Sequence, residues 1–333
     1  MLTVAVTGPT GEIGKAFITA LERLPEVDRV IGMARRPFDL GAQPWEKVEY
    51  RRGDVLDREA VDDLVEDADV VVHLAFAIAA GGKESREVNL TGSRNVFEAA
   101  AAAGVERLVY TSSVAAYGFH RGMPDLLSED EPVRGTSRHP YSAHKAEVEA
   151  ELAEALEGSR TAAYVFRPCI VAGPEATLLL DLIPLLAIGQ RIPGPLRWAI
   201  GRIPELRPVL PDPGVPFQLV HHDDVAAALC TAVIGLGEPG VYNLAGPGQL
   251  TISDLAHALG WHAVPVPASQ LAVGVAAEAV ALMPFLPDEA AWIEAVRRPM
   301  LMDTSNARRK LHWMPYYDAR ETLKQTIEAV RAR

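Results

Sequence analysis

Two cysteines in 333 residues, Cys169 and Cys230, with nothing in the sequence to bring them together, argue against a disulfide framework and for a reducing compartment. Basic charge is also in deficit. The formal net charge is -12, the wrong sign for nonspecific attraction to nucleic-acid phosphates, so no nucleic-acid partner is expected. The local basic groups Arg297, Arg298, Arg308, Arg309 and Lys310 read as a solvated face. Long apolar runs are missing too. Leu178 to Gly189 and Leu271 to Leu286 are broken by Asp181, Pro184, Glu278 and Pro284, too short or too polar to span a bilayer. No charged-then-apolar leader precedes the first predicted strand, so no secretory signal is read and a cytoplasmic location is expected. There is no internal repeat, no heptad array and no cluster with metal-ligand spacing; His221-His222 reads as strand-end structure, and no metal is expected.

What is present is apolar material in an alternating order. With 49% hydrophobic residues the chain can bury a large core, and strand and helix patterns alternate through about Pro168. This predicts an α/β fold, a doubly wound parallel sheet of the Rossmann kind with a smaller C-terminal substrate-binding lobe. Residues 1–168 would form the dinucleotide-binding domain, and 169–333 mainly the lobe.

The first predicted strand, Leu2 to Thr7, runs straight into Gly8-Pro9-Thr10-Gly11-Glu12-Ile13-Gly14 and a helical pattern through about Leu24. Strand, glycine turn and helix in this order suit a pyrophosphate. Gly8 permits the tight turn, Gly11 lets backbone approach the anion, and Gly14 lets the helix pack closely, with the anion at the helix N-terminus. A second strand, Arg29 to Ala34, ends where a carboxylate would accept from ribose hydroxyls; here Arg35 and Arg36 follow, guanidinium groups suited to a 2′-phosphate, so NADP is expected over NAD. Gly53-Asp54-Val55 follows the third strand, with Asp54 placed to hold the adenine amino group.

Tyr141-Ser142-Ala143-His144-Lys145 puts a phenol and an ammonium four residues apart, on one face of a helix. A lysine so placed is expected to lower the phenol pKa from about 10 toward neutrality and to make Tyr141 a proton donor or acceptor. The apolar run Leu108-Val109-Tyr110 ends in Thr111 to Gly118, which sets the Ser113 hydroxyl at a strand's carboxyl end, where open α/β sheets do their chemistry.

Together these residues resemble the extended short-chain dehydrogenase/reductase family, also called the NAD-dependent epimerase/dehydratase family. The resemblance takes in the glycine motif, Asp54, His73-Leu74-Ala75, Asn89 with Gly92 and Asn95, Thr111 to Gly118, Tyr141 to Lys145, and Arg167-Pro168 leading to Gly173-Pro174. It continues through His221 to Val225, Val241 to Leu244 and Asp303 to Pro315. It implies a Ser113-Tyr141-Lys145 site, with Ser113 polarising an oxygen, Tyr141 as general acid or base, and Lys145 on the nicotinamide ribose. It also implies a dinucleotide held by Gly8, Thr10, Gly11, Glu12, Ile13, Gly14, Arg35, Arg36, Asp54, Val55, Leu74, Ala75, Asn89, Tyr141, Lys145 and Pro168. Asn89 reads equally as a helix-start turn. Cys169 follows Arg167-Pro168 toward the nicotinamide pocket but reads as a buried, inert thiol. Family members return to the nucleotide sheet near Phe217 to Cys230, within a stretch, 217–245, that completes the first domain, and commonly pair as homodimers through the helices starting near Ser85 and Tyr141.

Members that bind nucleotide sugars usually carry asparagine three residues after Arg167 and arginine four before His221; this chain has Ile170 and Phe217. Both substitutions replace polar anchors for a diphosphate with apolar surface. Thr177 to Pro216, dense in leucine, isoleucine and proline, adds Trp198 and the arginines Arg197, Arg202 and Arg207. The sequence reading therefore favours an NADP-linked ketoreductase or alcohol dehydrogenase acting on an apolar small molecule. A nucleotide-sugar epimerase/dehydratase comes second and a non-catalytic NADP-sensing regulator third.

Overall fold

In the computed structural model, which describes residues 1–78, 83–120, 122–137, 139–177, 180, 207–266 and 299–332, the apolar runs of the sequence become parallel strands. In chain order these are β1 (Leu2–Thr7), β2 (Val27–Ala34), β3 (Val48–Arg52), β4 (Val70–His73), β5 (Arg107–Thr111), the two-residue β6 (Leu126–Leu127), β7 (Ala162–Pro168), β8 (Ile170–Ala172), β9 (Val209–Asp212), β10 (Leu219–His221) and β11 (Gly240–Leu244). Seven of them form one sheet in the order β11-β7-β5-β4-β1-β2-β3. Every pairing in it is parallel, so each connection must cross a face of the sheet.

The crossovers are helices, and β1 shows how they layer. Val4 and Val6 belong to one apolar cluster, with Phe17 and Leu21 of α1 (Glu12–Leu21). Ala5, pointing the other way, belongs to a second. That second layer takes Leu64 of α2 (Arg58–Val65), Val96 and Phe97 of α3 (Lys83–Ala103), and Val148 and Leu152 of α4 (Pro140–Ala155). The first is completed by Val225, Leu229 and Val233 of α5 (His222–Val233), which packs on α1. Period-2 alternation thus feeds both faces, and each fully buried Phe or Leu stabilises by roughly 1.5–3 kcal/mol.

Between Phe217 and Leu244 the chain passes from the lobe to the nucleotide sheet. Leu219–His221 pairs with β8 outside it, and Gly240–Leu244 is the strand that lies beside β7. Two parallel neighbours need a crossover, and α5 supplies it before β11 can enter. A third cluster joins β8 and β10 to α6 (Ile252–Leu259) and α8 (Ala319–Ala332); β12 (His262–Pro265) pairs with β9, and α7 (Ser305–Lys310) follows β13 (Leu301–Met302), which pairs with β6. Among the described residues no helix is long and apolar enough to cross a membrane.

Candidate active site

The sheet order reverses between β1 and β4, and their carboxyl ends open the crevice where such sheets bind ligands. Gly8, at φ +75°, ends β1; a Cβ there would stand 2.7 Å from the Ala75 nitrogen, so only glycine lets the turn pass the loop after β4. A Cβ on Gly14 would meet the Gly8 carbonyl oxygen at 2.3 Å, which fixes α1 against its own turn. Gly11 differs: its nearest neighbour would be 3.5 Å away, and as N-cap it offers no side chain to the first-turn N–H groups of α1. A turn open at Gly11 with uncapped amides behind it fits a pyrophosphate. Glu12 turns an oxygen elsewhere, accepting from the Thr177 amide at 2.9 Å.

Thr7 Oγ1 and His73 Nδ1 lie 2.7 Å apart, and His73 Nε2 lies 2.9 Å from Ser93 Oγ, whose hydroxyl donates to the Asn89 carbonyl. Burial lowers the His73 pKa to about 3, so a neutral imidazole bridges the end of β1 and the middle of α3. Leu74 and Ala75 follow it into the crevice. Arg35 and Arg36 are exposed just beyond β2. Asp54 accepts from the Leu56 amide at 3.1 Å, and buried Val55 packs against Gly92. Asn89 is not in a helix-start turn. Six residues into α3, it accepts from the Ala77 amide at 2.8 Å and donates to the Ala77 carbonyl at 3.0 Å, pinning the loop after β4.

At the other side of the crevice the serine and the tyrosine meet. Ser113, 7% exposed, follows β5, accepts from the Ala115 amide at 3.2 Å and acts on the Tyr141 phenol, whose pKa it lowers against the larger effect of burial. Tyr141 enters α4 directly after Pro140, and His139 caps that helix by accepting from the Ser142 amide. Lys145, 3% exposed, stands one turn on. Its Nζ donates to the Thr111 carbonyl at 2.8 Å and to Tyr110 Oη at 3.3 Å, and sits 3.7 Å over the Phe76 ring. The expected depression of the Tyr141 pKa is not found. Burial raises it, the Ser113 bond opposing, because the ammonium lies 5.9 Å from the Tyr141 ring centroid and turns to other partners. Lys145 itself is lowered to about 7 by burial, with Glu149 opposing.

Sequence reasoning missed Phe76, Tyr110 and Glu149. The signal for Glu149 was its spacing: it is four residues past Lys145, on the face that already carries Tyr141. Cys169 and Cys230 are buried, and burial raises both thiols, Cys230 to about 12. Pro168 ends β7 beside Leu244. Ile170 and Phe217 are partly spent on the third apolar cluster. Trp198, Arg197 and Arg202, with the segments 181–206 and 267–298, lie outside the described residues.

One grouping was not expected: His221, His222 and Asp223 bring possible ligand atoms within 4.8 Å of one another. Each imidazole already accepts a backbone N–H on one nitrogen, His221 Nδ1 from Asp223 and His222 Nε2 from Glu175. The opposite nitrogens, His221 Nε2 and His222 Nδ1, are buried without a hydrogen-bond partner.

The NAD dependent epimerase/dehydratase family matches residues 4–245, and the chain belongs to that family, the extended short-chain dehydrogenase/reductases. Among individual relatives, the human 3 beta-hydroxysteroid dehydrogenase type 7 is 34% identical over 174 residues, 46% of this chain and 44% of that protein, under half its length. The fold is shared with the Bordetella bronchiseptica enzyme WbmH, solved with NAD+, at TM-score 0.72 and 22% identity over 100% of this chain and 99% of that one. The UDP-glucose 4-epimerase of Thermotoga maritima, solved with UDP-glucose, aligns at TM-score 0.70 and 20% identity over 99% of both chains.

Proposed function

We propose that this chain is a nicotinamide-dinucleotide enzyme that interconverts a secondary alcohol and its ketone within an epimerase or dehydratase cycle on a nucleotide-activated sugar. The observation that carries the redox step is the convergence of Ser113 at the end of β5 with Tyr141 and buried Lys145, one turn apart on α4. When bound, the dinucleotide supplies a hydride donor or acceptor at C4 of its nicotinamide. The glycine turn would hold its pyrophosphate, Asp54 its adenine, Arg35 and Arg36 a 2′-phosphate, and Tyr141 and Lys145 its nicotinamide ribose. The chain's own residues then move one proton. Ser113 donates to the substrate oxygen and the Tyr141 hydroxyl gives or takes the proton on that oxygen.

The family and the UDP-glucose in the Thermotoga epimerase support the sugar class, which moves net reduction of an apolar ketone to second place. Ile170 and Phe217 favour that second reading, as does the hydroxysteroid dehydrogenase likeness. So does a cavity of about 180 Å³ whose lining is mostly apolar, Phe119, Met123, Pro124, Leu127, Pro299 and Met300 beside His120 and Asp125; the Phe119 ring lies tilted against His139, which meets the Tyr141 ring edge-on. The same proposal places residues 169–333 mainly around the substrate and NADP ahead of NAD. It also takes the chain to work as a cytoplasmic homodimer through α3 and α4, although their outward sides carry the ion pairs Arg86–Glu147 and Arg94–Glu151.

The test is turnover of UDP- and dTDP-hexoses and, separately, of apolar ketones and sterols, each with NAD(H) and NADP(H). Sugar interconversion lost by about 10²–10⁴ in Tyr141→Phe, with dinucleotide binding kept, is the expected result. Turnover of ketones alone transfers the assignment to the second reading. Dinucleotide binding with no turnover on either panel leaves a sensor.

A further inference from the structure

Behind the serine, tyrosine and lysine lies a buried chain of polar groups that their chemistry does not use. Glu149 of α4 takes Arg167 of β7 in a two-pronged pair, Arg167 Nε to Oε1 at 3.0 Å and Nη2 to Oε2 at 2.6 Å, with the Arg167 side chain 6% and the Glu149 side chain 10% exposed. Its Oε1 also accepts from Ser112 Oγ at 2.5 Å, the residue before Ser113. Arg167 Nη1 donates to Tyr117 Oη at 2.9 Å, and Tyr117 donates on to Asn243 Oδ1 of β11 at 2.8 Å. Asn243 in turn donates to the Leu127 carbonyl at 3.0 Å. One carboxylate is therefore the node joining the end of β5, the turn after it, α4, β7 and β11.

Taking such a pair out of water is costly, and an apolar filling of equal volume commonly serves stability as well or better. Its position makes a second role available. Tyr141, Lys145 and Glu149 share one helix face, so Glu149 reaches the strand end that carries Ser113 and faces the cation that serves Tyr141. Among the described residues, the other groups facing Lys145 give it no negative charge. Tyr110 on β5 and Tyr141 on α4 are phenols held neutral by burial, Phe76 offers a ring face, and His73 on β4 is uncharged.

Resting on the Ser-Tyr-Lys reading above, we propose that Glu149 is a positioning residue. It locks the serine-bearing strand end to the tyrosine–lysine helix and supplies the counter-charge for the Lys145 ammonium. Arg167 fixes the carboxylate in that place, and Ser112 transmits its position to Ser113.

The test reads Lys145 directly in the full chain, by NMR of lysines labelled at the ε-carbon, with the Lys145 signal assigned by its loss in Lys145→Arg. The native midpoint is expected near pH 7. In Glu149→Gln it falls by about one pH unit, the low end of what an opposite charge a few ångströms away contributes, and Glu149→Asp recovers part of the shift. Because Glu149→Gln strands the Arg167 charge and can unfold the chain, Glu149→Gln/Arg167→Gln removes the pair together. A merely structural pair predicts a native midpoint there, whereas the proposal predicts a lowered one. A native midpoint in the folded double variant overturns the inference. No substrate enters this measurement, so absence of turnover would sink the proposed function while leaving this result to stand or fall alone.

Discussion

Where β1 ends, the site is made of backbone packed so closely that a Cβ on Gly14 would sit 2.3 Å from a carbonyl oxygen; where β5 and β7 end, it is made of buried charge, Lys145 over an aromatic ring and Arg167 locked to Glu149. The first region needs no side chain and no particular pH. The second depends on which protons are present, since Lys145 titrates near 7 while Tyr141 stays protonated well above that. One end of the crevice is a shape and the other is an electrostatic setting, so substitutions in the two should fail in different ways.

The sharpest way to break that contrast is Gly14→Ala. Within a helix this change ordinarily stabilises by up to about 1 kcal/mol. Here the added carbon meets the Gly8 oxygen at 2.3 Å and Pro9 backbone at 2.7 Å, atoms that move only if the turn moves. The expected loss exceeds about 4 kcal/mol, with dinucleotide binding abolished, and chemical denaturation read beside calorimetric titration checks it. A folded variant with native affinity would show that the turn is pliant.

The second end is sharpened by Lys145→Met. With a folded-state pKa near 7 against an ordinary 10.5, the unfolded chain holds a proton the native chain lacks between those values. Native stability therefore rises with pH from about 7 to 10.5, and the penalty is constant below 7. Removing the amine removes that dependence. At 1.36 kcal/mol per unit the penalty is at most about 5 kcal/mol, and loss of the bonds to Thr111 and Tyr110 takes back part of it. A net gain of about 2 kcal/mol at pH 6.5 that shrinks toward pH 10 is expected, measured by denaturant midpoints across pH in dinucleotide-free protein. A gain that is flat with pH would remove the electrostatic half of the comparison.

The two ends also differed in how far they could be read in advance. The glycine turn was legible because local backbone sterics dictate it within seven residues, Gly8 to Gly14. So was the Tyr141–Lys145 face, a matter of helical spacing. What Lys145 does to Tyr141 was not legible, because its direction depends on burial and on Tyr110, Phe76 and Thr111, which reach the lysine only through the parallel pairing of β4, β5 and β7. Which strand lies beside β7 was not legible for a related reason: β10 and β11 are both short apolar runs, and only the crossover α5 decides which one enters the sheet. Glu149 could have been found from its i+4 step, yet its partners Ser112 and Arg167 lie 37 positions before and 18 after it, on two different strand ends.

The smallest effect on the fold should come from Gly11, the glycine that faces outward. Its backbone is extended, φ −76° and ψ 176°, a conformation any residue adopts, and an added Cβ would come no nearer than 3.5 Å to the Gly8 oxygen, ordinary van der Waals contact. Gly11→Ala should therefore leave stability within about 0.5 kcal/mol of native. The methyl group would nonetheless stand over the uncapped amides of α1, where backbone must approach a pyrophosphate, and dinucleotide affinity should drop tenfold or more, about 1.4 kcal/mol. Thermal melting and calorimetric titration on one preparation separate the two quantities. Unchanged stability with weakened binding would assign Gly11 to the ligand and Gly14 to the fold. If Gly11→Ala instead unfolded the protein as Gly14→Ala is expected to, the turn would be a packing motif throughout and would lose its standing as the pyrophosphate cradle.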